Sequence, residues 1–89
     1  MNSATTPRFR RAFAVLPVET QRRARKAYHL WRQSHSHPSL HFKKVGKIWS
    51  AGVDDISRVL AHVVGDTAHW FWIDPHEEYE RLISQYRKG

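Results

Sequence analysis

The chain contains no cysteine among its 89 residues. Disulfides and thiolate metal centres are thereby excluded, and a reducing compartment fits. No apolar run approaches the roughly 18 residues needed to span a membrane. Residues 1–6 lack the basic-then-apolar order of a signal peptide. The expectation is a cytoplasmic protein that does not engage the membrane. Glycine and proline are sparse, four of each, so each one can be read as punctuation. Acids are scarce as well: eight against fifteen Lys/Arg, for a net charge of +7. No internal repeat or low-complexity tract is present.

What is present suffices for one small core. Hydrophobic residues make up 40% and aromatic residues 12%, too much for general disorder. We expect residues 1–6 to be a flexible start and 7–89 to form a single domain. The charge is unevenly placed. Residues 1–47 hold eleven Lys/Arg and one acid, net +10; residues 48–89 hold four Lys/Arg and seven acids, net −3. A basic half of this density points to a polyanion or an acidic protein as partner. The plainer reading is a solvated basic helix.

Thr6-Pro7 reads as an N-cap followed by a first-turn proline. Phe9, Ala12, Phe13 and Leu16 follow at helical spacing, so a helix is expected over 7–16, ended by Pro17. A longer helix over 18–34 carries Ala24, Ala27, Tyr28, Leu30 and Trp31 on one face. Arg22, Arg23, Arg25, Lys26 and Arg32 form its wet face. Together these make an αα-hairpin. After the loop 34–39 the period becomes two. Leu40, Phe42 and Lys44 are expected to share one face of a first strand, followed by strands over 48–53, 56–64 and 67–73. Gly46-Lys47 and Gly65-Asp66 are the tight turns between them. Asp74, Pro75 and Glu77 then read as the capped start of a helix over about 75–86. The fold class is α+β: the αα-hairpin packed on a small, mainly antiparallel four-stranded sheet, with a C-terminal helix.

Certain pieces of the chain together resemble the RelE/ParE superfamily of toxins from bacterial toxin–antitoxin pairs, and its RelE-like branch in particular. They are Leu16-Pro17 with the helix from Gln21 to Trp31, the run His37 to Val45, Arg58-Val59-Leu60-Ala61, and Gly65-Asp66 through Trp72-Ile73 to His76-Glu77-Glu78-Tyr79. The resemblance implies a ribosome-associated endoribonuclease that cleaves mRNA without metal or cofactor, and a cognate antitoxin as partner. Some members instead poison DNA gyrase. Carried over to this chain, His76 would be general acid or base and Arg58 would stabilise the phosphate. Lys43 and Lys44 would bind RNA backbone, His41 would assist, and Tyr79 would stack on a base.

The chain departs from the pattern at Gly52, where the branch carries arginine, at Ser57 in place of tyrosine, and at Asp74 in place of glycine. These departures suggest an attenuated nuclease or an inactive relative that binds only antitoxin or RNA. On that reading an arginine restored at position 52 would raise activity. Each feature also has a structural reading. Arg58 could pair with Asp54 or Asp55, Lys43 and Lys44 could be edge-strand charges, and Trp70-Phe71-Trp72 reads as core before it reads as a stacking platform. His35, His37 and His41 lack a clear fourth ligand for zinc, so no metal site is expected.

Overall fold

The computed structural model describes residues 1–54, 57–75 and 84–85. The order is β1 (Asn2–Thr5), α1 (Pro7–Ala14), α2 (Val18–Gln33), a 3-10 turn (Pro38–Leu40), β2 (Lys43–Val45), β3 (Ile48–Gly52), β4 (Ser57–Val64) and β5 (Thr67–Pro75). The strands form one five-stranded sheet in the order β1-β5-β4-β3-β2. Pairing is antiparallel except at β1, which runs parallel to β5.

Both helices start and stop where local chemistry directs. The Thr6 hydroxyl accepts from the Phe9 N–H at 3.1 Å, and Pro7 sits in the first turn of α1. Pro17 separates the helices. The Gln21 amide then bridges them, donating to the carbonyls of Phe13 at 3.0 Å and Leu16 at 3.2 Å. The Phe13 carbonyl also accepts from the Leu16 N–H at 3.1 Å, so the amide adds a side-chain donor to the turn that ends α1. The Arg25 guanidinium over the Phe13 ring, 5.1 Å from its centroid, adds a second tie.

Two clusters of buried side chains occupy the two sides of the sheet. On the helix side, Trp31 and Leu40 pack with Ala51, Ala61, Ala68 and Trp70, joined by Phe9, Ala27 and Leu30. Alanine on three adjacent strands leaves room for two indoles, which meet edge to face at 5.2 Å. The other cluster is Val45, Ile48, Leu60 and Phe71, with Trp72 against it. A β-bulge allows this: Leu60 pairs with Trp72 but Ala61 pairs with Trp70, leaving Phe71 as the extra residue. Phe71 and Trp72 therefore join the same cluster while Trp70 turns to the helices. Trp70 and Phe71 are core, as their composition suggests, and Trp72 is half-buried.

Three expectations are corrected. The sheet has five strands, because Asn2–Thr5, expected to be loose, pairs along β5. These residues show no apolar alternation, and their strand conformation comes from the partner rather than from propensity. Leu40 belongs to the 3-10 turn, and His41 follows in a left-handed conformation (φ 48°, ψ 42°), so β2 begins only at Lys43. Pro38 presets that turn. Asp74 and Pro75, expected to start a helix, instead extend β5 opposite Arg58 and Ser57. Apart from these ends, the helix expected over 75–86 lies outside the described residues, except that Ser84 and Gln85 are helical.

The place of β1 can be tested. The buried Trp70 indole N–H donates to the Ser3 hydroxyl at 3.0 Å. Ser3→Ala should destabilise the protein by about 1–3 kcal/mol, because a buried donor loses its acceptor. Urea unfolding followed by tryptophan fluorescence measures this, and an unchanged midpoint would mean that the bond contributes nothing.

Candidate nucleic-acid interface

Arg58 is the second residue of β4, paired with Gly52 on one side and Asp74 on the other. Strand alternation puts it on the face of Leu60, away from the helix-side cluster. Its guanidinium reaches across β3. The Nη1 atom lies 2.8 Å from the point a Cβ on Gly52 would occupy, and the Leu40 carbonyl oxygen is 3.5 Å from that same point. A side chain at position 52 would compete for the guanidinium's place. Gly52 is thus more than a missing arginine: its bare backbone seats the arginine that is there.

The guanidinium lines a groove of about 450 Å³ between α2 and the end of β3, which Arg23, Lys26, His41 and Asp54 also line. Arg23 and Lys26 stand three residues apart on α2, a spacing that puts them on one helix face. Among the described residues, three positive charges and one carboxylate therefore border one groove. The two oxygens of that carboxylate face different groups. Asp54 Oδ1 accepts from the Ser57 N–H at 2.8 Å, which fixes the entry to β4, and Oδ2 lies 3.5 Å from Arg23 Nη1.

Of the residues selected from sequence, Arg58 and His41 come together in this groove. Lys43 and Lys44 are exposed on β2 and alternate in direction. Lys43 pairs with Ser50 and so shares the face of Leu60 and Arg58, whereas Lys44 pairs with Trp49 on the helix side. The two lysines thus do not form one patch. His76 and Tyr79 lie outside the described residues. His35 stacks on Trp31 at 4.8 Å, and His37 Nδ1 accepts from the Ser39 N–H at 3.2 Å. Both histidines of that loop have structural uses.

Arg23 and Lys26 were read from sequence only as part of a wet helix face. The signal that could have separated them from Arg22 and Arg32 is their register with Ala27 and Leu30, which border the same groove. No helix among the described residues is long and apolar enough to cross a membrane.

No protein-family model matches the chain. No curated protein matches it in sequence. Its structure does resemble solved ones. One is the RelB–RelE antitoxin–toxin complex from Methanococcus jannaschii, with a TM-score of 0.70 and 14% identity over 89% of this chain and 96% of that one. Another is a copper-bound mutant toxin from Helicobacter pylori, with a TM-score of 0.58 and 14% identity over 88% and 97% of the two chains. Identity at this level speaks for architecture: among the described residues, α1, α2 and a five-stranded mixed sheet give this chain a RelE-like fold.

Proposed function

We propose that this chain is the toxin of a toxin–antitoxin pair and that it cleaves mRNA on the ribosome. The observation that carries this reading is the convergence of Arg23, Lys26 and Arg58 on one groove of a RelE-like fold. Concentrated positive charge in a concave site favours a phosphodiester backbone. In the reaction, the ribose 2′-oxygen forms a bond to its own phosphorus and the bond from phosphorus to the 5′-oxygen breaks. A base removes the 2′ proton, and an acid protonates the leaving 5′-oxygen. Arg58 is suited to stabilise the charge that builds on the phosphoryl oxygens, because its planar fork matches them. His76 is assigned the acid or base role, and Tyr79 the stacking of a base, from the family resemblance. The partner proposed to restrain the activity is an antitoxin; the similar RelE-like structure from Methanococcus jannaschii is of an antitoxin–toxin complex.

The test is mRNA integrity in a bacterial cell-free translation reaction, mapped by primer extension, with EDTA-treated free RNA as a second arm. Cuts confined to translated message are expected. Cuts in free RNA despite EDTA would keep the nuclease and remove the ribosome. Intact message together with inhibited DNA supercoiling would replace this reading with a gyrase poison.

A further inference from the structure

We propose that the groove between α2 and the end of β3 is a phosphate subsite in which Asp54 holds Arg23 until a phosphodiester takes its place. The inference rests on the RNA-directed reading above and adds residues to it. Arg23, Lys26 and Arg58 reach the groove from a helix and from the sheet, and among the described residues that line it Asp54 is the carboxylate facing them. Asp54 answers incompletely. Its Oδ1 is committed to the Ser57 N–H at 2.8 Å, which leaves Oδ2 at 3.5 Å from Arg23, a long ion pair. The Arg23 side chain is 56% exposed, so the pair is screened by water and weak. A phosphodiester brings one full negative charge on two free oxygens and is not tethered to a turn, so it can approach Arg23 and Lys26 together. The groove, at about 450 Å³, has room for the phosphate and part of a sugar. Asp54 acts as a resident anion: it keeps Arg23 oriented towards the groove and yields it to RNA.

The two oxygens of Asp54 allow a selective test. Asp54→Asn retains an acceptor for the Ser57 N–H and removes the charge facing Arg23. Binding of a 2′-O-methyl RNA oligonucleotide, which lacks the attacking hydroxyl, is measured across a salt series for the wild type, Asp54→Asn, Arg23→Gln and the double variant. Asp66→Asn makes the same change in net charge at an exposed turn and serves as the control. Asp54→Asn should tighten binding about three- to tenfold over the control and steepen the salt slope by about 0.7, the increment for one more phosphate contact on a single strand. Arg23→Gln should weaken binding and flatten the slope by about the same amount. In the Arg23→Gln background, Asp54→Asn should add nothing beyond the control. Equal effects of Asp54→Asn and Asp66→Asn, or an unchanged effect in the double variant, would overturn the proposal.

Titration with inorganic phosphate, followed through the arginine side-chain NMR signals, separates this inference from the reading beneath it. Phosphate-dependent shifts at Arg23 and Arg58, enhanced by Asp54→Asn in a protein that binds no RNA, would leave the subsite standing and remove RNA as its ligand. RNA bound and cut with a silent Arg23 would remove the subsite and leave the nuclease. Silence towards both probes would overturn both.

Discussion

Arg58→Gln should lower the rate of mRNA cleavage by about 100-fold or more, the scale seen when one donor to a developing oxyanion is removed. Arg58 enters the groove as a planar cation laid across Gly52. Glutamine keeps much of the length and some hydrogen bonding but loses the charge and the fork. Arg58→Lys restores the charge as a point and should recover only part of the rate, because lysine cannot make the bidentate contact. Gly52→Ala moves the same group without altering it. The added methyl would meet Nη1 at 2.8 Å, and the end of a flexible side chain gives way at little cost in stability. Its activity should therefore fall between wild type and Arg58→Gln, while its melting temperature stays close to that of the wild type. The geometry reverses the expectation drawn from sequence for Gly52→Arg: a larger side chain there displaces one arginine to introduce another. Wild-type cleavage by a folded Arg58→Gln protein would take Arg58 out of the chemistry.

Trp31→Ala should destabilise the fold by about 3–5 kcal/mol, the usual cost of truncating a large buried aromatic. Trp31 is only 2% exposed. It joins α2 to the sheet through an edge contact with Trp70 at 5.2 Å and one with Phe42 at 5.9 Å, and it stacks on His35 at 4.8 Å. Small domains hold only about 5–15 kcal/mol in total, so this variant stands near the threshold of unfolding at 37 °C. Trp31→Phe separates packing from hydrogen bonding. Among the described residues the buried indole Nε1 meets no hydrogen-bond acceptor, so phenylalanine tests the ring's packing. Phenylalanine should therefore lose far less than alanine. Chemical denaturation with a common m-value decides the matter, and a loss below about 1 kcal/mol for Trp31→Ala would show that the ring does not hold α2 in place.

Much of this architecture could be read before the coordinates because its signals are local. Thr6-Pro7 and Pro17 bound the helices, and Gly46 and Gly65, at φ 61° and 59°, make the two hairpin turns. The misread elements depend on distant partners. Asn2–Thr5 becomes a strand only because β5 offers it an edge, and Asp74-Pro75 stays extended because β4 continues opposite it. Residues of the candidate groove could be singled out in the sequence, but their meeting could not. Arg58 and His41 stood out as residues, but the groove depends on α2 lying beside the end of β3, which no single segment encodes. Gly52 shows the same limit: a comparison of positions registers the lost side chain and misses the Arg58 guanidinium, 2.8 Å from where a Cβ at position 52 would stand.

The pairing of β1 with β5 also orders events in time. Ser3 and Trp70 are joined across 67 residues of chain, and the backbone partners of Asn2–Thr5 begin at Thr67. Synthesis runs from β1 towards β5, so these four residues emerge with no partner strand until β5 follows them. The last strand supplies Trp70 to the core as well as an edge to β1. A nascent chain lacking β5 therefore has neither a closed sheet nor a complete helix-side core.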